Sequence, residues 1–132
     1  KIPIFGMYLK KIGSISIDRD KTTKENLGFF DKIKSTVDSS NRPIIIFPQA
    51  SRMPADDRSP FKKGVGRIYE KLGIKCQPVA INSGNVWPKN GKLKSNQLIT
   101  VSILKEIEPG IESKIFINTI QNNIYNELDK IA

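Results

Sequence analysis

An α/β domain with a largely parallel sheet flanked by helices is the fold class that this 132-residue chain predicts. Two observations lead there. Short apolar runs at 44–47, 74–81 and 98–104 alternate with amphipathic segments at helical spacing. Strand–helix–strand units of that length imply right-handed crossovers and parallel neighbours. Length and composition fit a single domain over 1–132, since 38% hydrophobic and 27% charged residues are ordinary for a soluble globular protein. No internal repeat, linker or low-complexity tract divides it.

The elements follow in order. Segment 1–13 mixes apolar and aromatic residues with lysines, and a helix is expected after Pro3 with Gly13 as its stop. Ile15 and Ile17 alternate with Ser14, Ser16 and Asp18, a short strand that ends in Asp18-Arg19-Asp20. Thr22 with Glu25 three residues on is a capping-box signature. Leu27, Phe30, Ile33 and Val37 then share one face of a helix over 23–38. Ile44-Ile45-Ile46-Phe47 reads as a buried strand that Pro48 stops. Val65, Ile68, Tyr69 and Leu72 predict a helix over 62–72 with Gly73 at its C-cap. A strand follows at 74–81, where Pro78 argues for an edge position or a bulge. Residues 82–97 read as a polar loop, with turn chemistry at Trp87-Pro88 and Asn90-Gly91, before the strand at 98–104. Ile117, Ile120, Ile124, Leu128 and Ile131 lie on one face of a long C-terminal helix that closes the core.

Charge and composition exclude more than they select. Lys+Arg of 22 against Asp+Glu of 13 gives a net charge of +9, which suits an anionic partner: nucleic acid, an acidic membrane or a phosphorylated substrate. Five of the 22 basic residues are Arg, so the excess is mostly lysine, the less specific phosphate reader. A bias toward Ile, Lys and Asn explains the same excess. A nucleic-acid binder has the charge, but the chain lacks a recognisable motif and its aromatics fall mostly at core-like spacings. The single cysteine, Cys76, lies in an apolar run and reads as a buried, inert thiol in a reducing compartment. The absence of histidine removes serine–histidine chemistry and most zinc sites. No apolar stretch approaches the length of a transmembrane helix, and no signal peptide is visible. The chain opens at Lys1, directly in an apolar segment, and is expected to start partway through a domain.

The densest chemistry lies just past the apolar run. Gln49, Ser51 and Arg52 offer an amide, a hydroxyl and a guanidinium, and Phe61-Lys62-Lys63-Gly64 opens the next helical pattern. Polar groups at the C-terminal end of a strand sit where α/β sheets bind ligands. Arg52 and Lys62 supply the donors and positive charge that a phosphate needs. A polar loop before a solvated basic helix start is the plain alternative.

Four segments in order resemble one family. They are Ile2-Pro3-Ile4-Phe5-Gly6 with Lys10-Lys11-Ile12-Gly13, then Ile17-Asp18-Arg19, then Phe47-Pro48-Gln49-Ala50-Ser51-Arg52 with Phe61-Lys62-Lys63-Gly64, then Pro78 to Gly84 with Trp87-Pro88. Together they resemble the phospholipid/glycerol acyltransferases, in particular the bacterial 1-acyl-sn-glycerol-3-phosphate acyltransferases, from Lys1 to about Glu108. The resemblance implies transfer of a fatty acyl group from acyl-CoA or acyl carrier protein to a lysophospholipid hydroxyl, forming phosphatidic acid. It implies no cofactor beyond that co-substrate and no metal. It also implies a membrane-surface partner, with the protein peripheral or monotopic on the cytoplasmic face of the bacterial inner membrane. In the family a His-x-x-x-x-Asp motif supplies the base, because a hydroxyl is a poor nucleophile until an imidazole takes its proton. That motif lies upstream of the matching segments, and no histidine stands in for it here.

Position by position, the resemblance assigns phosphate binding to Arg19, Arg52 and Lys62, and acceptor binding or site shaping to Gln49, Ser51 and Pro78. The usual Phe-Pro-Glu-Gly-Thr-Arg has become Phe-Pro-Gln49-Ala50-Ser51-Arg52. Serine keeps the hydroxyl, glutamine keeps an acceptor oxygen while losing the charge, and alanine is harmless only at φ below zero. A loop ion pair with Asp18 or Asp20 is the alternative for Arg19. Lys1, Lys10 and Lys11 read as surface residues, while Phe5, Tyr8 and Leu9 suit a membrane interface or a core. Trp87 suits a lipid-facing surface or a loop closed over the core. A catalytically inactive relative, acting as a phosphate- or lipid-binding module, is the alternative to an enzyme.

Overall fold

A computed structural model describes residues 3–15, 27–40, 42–54 and 56–131, in two units, Lys1–Arg42 and Pro43–Ala132. Arg19, the predicted strand around Ile17 and the Thr22/Glu25 capping box lie outside the described residues.

In the first unit, α1 (Pro3–Lys11) ends as its sequence requires. Gly13 adopts φ 75°, and the Ser14 amide donates to the Leu9 carbonyl at 2.9 Å, closing a Schellman turn. A Cβ on Gly13 would also stand 2.7 Å from Nη2 of Arg42, so no larger residue fits without moving that side chain. Helix α2 (Leu27–Ser39) buries Ile33 and carries an exposed Lys34–Asp38 pair at 2.9 Å, which contributes a few tenths of a kcal/mol at about i,i+4 spacing.

The second unit contains α3 (Gly64–Leu72), β1 (Val79–Ile81), the one-turn α4 (Ser83–Val86), β2 (Val101–Ile103) and α5 (Ser113–Ile131). Its core joins α3, β1 and α5 around Phe61, Tyr69, Ala80, Phe116, Ile120 and Leu128. Tyr69 and Phe116 stack with ring centres 3.7 Å apart, so the two helices share an aromatic contact. Gly66 allows that approach, because a Cβ there would meet Ser113 Oγ at 2.1 Å and Ile117 Cδ1 at 2.8 Å. Glu70 then accepts from the Ser113 amide at 2.6 Å, giving one orphan donor at the start of α5 an acceptor from a neighbouring helix. At the other end of α3, Gly73 takes φ 60° and donates its amide to the Tyr69 carbonyl, as predicted for a C-cap.

The sheet differs from expectation. Among the described residues it has two strands, and they are antiparallel: Val79 faces Ile103 and Ile81 faces Val101. The parallel arrangement predicted from strand–helix alternation is not what this pair forms. Its connection holds only the single turn of α4, too short a helix to carry the chain back along a strand, so the chain reverses instead. The run 44–47 joins no ladder, and Ile45 and Phe47 are 79% and 77% exposed. Ile44 and Ile46 are half-buried, so the segment alternates with the period of a strand. Pro43 and Pro48 flank it without backbone N–H donors to offer a partner.

Pro78 marks a bulge, one of the two outcomes it predicts. Cys76 pairs with Ile107 and Val79 with Ile103, so Gln77 and Pro78 oppose three residues, Leu104, Lys105 and Glu106. Lys75 braces that irregular end through Glu106 at 3.0 Å and Glu108 at 2.9 Å.

Candidate functional site

The loop 47–63 is shaped first by its own backbone. The Ala50 amide donates to the Phe47 carbonyl at 3.0 Å, closing a turn over Pro48 and Gln49. Ala50 pays for that turn with φ 60°, the left-handed region where a Cβ is strained. The Lys62 amide then donates to the Pro48 carbonyl at 3.0 Å. That bond makes the two halves of the motif, 47–52 and 61–64, neighbours in space.

Helix α5 holds the loop in place. The Phe61 amide donates to Gln121 Oε1 at 2.9 Å, and the buried Phe61 ring meets Tyr125 edge to face at 5.1 Å. Tyr125 is the hub. Its hydroxyl donates to the Ser59 carbonyl and accepts from Gln49 Nε2 at 3.4 Å. Arg58 lies over the same ring, 5.1 Å from its centre, and pairs with Asp129 one turn further along α5. Burial pushes the Tyr125 phenol above its ordinary range, with the Gln49 bond opposing, so it stays a neutral donor across physiological pH.

Arg52 and Lys62 are both exposed. Arg52, Met53 and Pro54 line an open depression of about 490 Å³ whose opposite side is built by residues 88–91, including Pro88 and Lys89. A guanidinium and an ammonium thus border a hollow that Met53, Pro54, Pro88 and the Asn90 amide also line, an arrangement able to hold an anionic head group beside apolar surface. Lys62 is not among the lining residues. Ser51 is exposed and donates its hydroxyl to Met53 Sδ at 3.1 Å, beside Arg52. Pro78 belongs to the ladder, where its carbonyl accepts from the Leu104 amide at 3.0 Å. Gln49, Ser51, Arg52 and Lys62 therefore share one loop, Pro78 stands just before β1, and Arg19 is outside the described residues.

Cys76 is half-buried and its thiol is pushed up by burial, a poor nucleophile, in line with the inert role read from its apolar run. Among the described residues no group of acidic, cysteine or histidine side chains gathers as a metal site. Residue patterns missed Tyr125 and Gln121, because the periodicity of α5 draws attention to its isoleucines. One signal was available: a Tyr beside the apolar face of a core helix needs a partner for its hydroxyl once buried.

With this geometry in view, comparison with known proteins gives the class directly. The chain belongs to the Acyltransferase family, which matches residues 1–82. A 1-acyl-sn-glycerol-3-phosphate acyltransferase of Helicobacter pylori is 30% identical over 129 residues, 96% of this chain and 54% of that protein. A protein of the same name from Pseudomonas aeruginosa is 30% identical over 102 residues, 77% of this chain and 39% of its own length. The chain spans about half the length of the first and two-fifths of the second. No solved structure matches it.

Proposed function

We propose that the protein transfers a fatty acyl group from acyl-CoA or acyl carrier protein to 1-acyl-sn-glycerol-3-phosphate, and that this chain supplies the acceptor's phosphate site. The observation carrying the reading is the Lys62–Pro48 backbone bond, which sets the lysine of one half-motif beside the loop bearing Arg52. In the reaction the acceptor hydroxyl attacks the thioester carbonyl, its proton passes to a base, and the thiol leaves. Arg52 and Lys62 hold the phosphate so that the hydroxyl is presented in one orientation, a role the resemblance also gives to Arg19. Each charge-assisted contact contributes about 1.5–3 kcal/mol. Gln49 and Ser51 shape that loop, Gln49 through Tyr125. The base is not in this chain, which contains no histidine, so the 132-residue polypeptide alone is expected to bind acceptor without turning it over.

The same absence favours a second reading, a phosphate- or lipid-binding module without catalysis. Titration of the chain with a short-chain 1-acyl-sn-glycerol-3-phosphate, kept below its micelle concentration, tests the shared premise. Arg52→Ala should weaken binding about tenfold to a hundredfold. Equal affinity for the same lipid without its phosphate, or an unchanged Arg52→Ala variant, overturns both readings. Release of free thiol from acyl-CoA by a longer form that carries a His-x-x-x-x-Asp segment separates enzyme from module. In such a form, Arg52→Ala should raise KM for the acceptor far more than for the thioester.

A further inference from the structure

We infer that the excursion between β1 and β2, residues 87–99, is a docking surface for an anionic lipid bilayer. Four large apolar side chains stand in solvent along it: Trp87 is 62% exposed, Leu93 67%, Leu98 82% and Ile99 46%. Lys89, Lys92 and Lys94 are interleaved with them, and no acidic residue occurs anywhere between Glu70 and Glu106. That mixture separates this surface from the exposed face of the strand pair, where Val79, Ile81, Val101 and Ile103 carry no charge at all. Tryptophan and leucine enter the boundary between head groups and acyl chains, while lysine stems lie along it with their ammonium groups on lipid phosphates. A protein partner complementary to the same surface would need acidic groups spaced between apolar pockets. A bilayer supplies both at every position.

The excursion is pinned at two levels, so its side chains are presented together. Asn82, which is buried, accepts from the Thr100 amide at 2.8 Å and donates to the Ile131 carbonyl at 2.7 Å. Nearer the tip, the Lys94 amide donates to the carbonyl of buried Val86 at 2.9 Å. Trp87 and Leu93 flank that closure, and the Gly91 amide donates to the Pro88 carbonyl at 3.3 Å inside it. Asn96 turns the chain again at φ 57°, a left-handed conformation asparagine tolerates. Lys89 also borders the depression lined by Arg52, so a docked bilayer would bring lipid head groups to the edge of the phosphate site. The inference deepens the acyl-transfer reading, whose acceptor is a lipid. Its test involves no turnover and no soluble acceptor, so either can fail alone.

Trp87 is the only tryptophan of the chain, so its emission reports on this loop and nothing else. The experiment adds vesicles of roughly one part phosphatidylglycerol to three parts phosphatidylcholine to the full 132-residue chain. A blue shift of Trp87 emission and its quenching by lipids labelled on the acyl chain are expected. Replacing Lys89, Lys92 and Lys94 together with Gln should weaken binding about a hundredfold, roughly fivefold per lysine. Leu93→Ser with Leu98→Ser should weaken it about tenfold at unchanged circular dichroism. Sedimentation with vesicles while Trp87 emission stays unshifted would place the lipid contact elsewhere and overturn the inference. Equal binding to pure phosphatidylcholine, or a blue shift that grows with protein concentration without lipid, also overturns it, the latter in favour of a second copy as the occupant.

Discussion

At Ala50 the chain departs from the Gly of the related motif, and the backbone shows what the departure costs. With φ at 60°, the methyl group sits against the following carbonyl, a strain of about 1–2 kcal/mol for an L-residue. Ala50→Gly should therefore stabilise the protein by about 1 kcal/mol, after discounting the extra freedom glycine gains when unfolded. Urea unfolding reads this as a higher midpoint at constant slope. Tyr125 is the second residue whose role can be isolated. Tyr125→Phe keeps the ring against Phe61 and under Arg58 but removes the bonds to Ser59 and Gln49. A loss of about 1–2 kcal/mol is expected, together with faster hydrogen exchange at the Phe61 and Lys62 amides. Slower or unchanged exchange there would mean that the loop is held by its own backbone.

Among the elements, α3 and α5 carry the second unit, and their closest approach is the place to break it. Gly66→Ala drives a methyl group into Ser113 Oγ and into the Ser113 carbonyl oxygen at 2.9 Å, backbone that cannot step aside as a rotamer can. We expect a destabilisation of about 1–3 kcal/mol from overpacking, measured by thermal unfolding. Gly64→Ala serves as the control, since a Cβ there meets nothing within 4 Å. The contrast matters because both glycines stand in the same helix: only the tertiary contact separates them.

For the molecule as a whole, the titrating groups set a window. Lys75 is raised by hydrogen bonds to Glu108 and Glu106, and Tyr125 and Cys76 are raised by burial. In each case the folded state holds its proton more tightly than the unfolded chain does. The stability these groups contribute is fully present below their unfolded values and is lost as pH rises through the folded ones. Glu127 runs the other way, lowered chiefly by its bond to Lys130, so its contribution fades as pH falls through its folded value. Melting temperature should be flat from about pH 5 to 8, fall from about pH 9 upward, and fall again below about pH 4. Alkylation of Cys76 in the folded chain should be slower than in urea at the same alkaline pH. No described helix is long and apolar enough to cross a membrane. The Trp87 experiment asks whether the described part meets a bilayer through its surface.

Local rules in the amino-acid sequence determined the longer helices, the stops of α1 and α3 and the family, but not the one-turn α4, which lies in the stretch 82–97 read as a polar loop. Gly13 and Gly73 stop α1 and α3 where a left-handed residue is needed, and the isoleucine spacing of 113–131 places α5 on the core. Pro48-Gln49-Ala50-Ser51-Arg52 and Phe61-Lys62-Lys63 were legible as two halves of one candidate motif, because side-chain chemistry is written residue by residue, and the Lys62–Pro48 bond makes them neighbours in space. Strand pairing was not legible in the same way. An apolar run such as 44–47 says that a segment is extended, whereas its partner, direction and burial depend on which donors and acceptors the rest of the chain brings beside it. The antiparallel β1–β2 pair, the Tyr125 hub and the Lys62–Pro48 bond join residues far apart in sequence, and only the tertiary structure decided them.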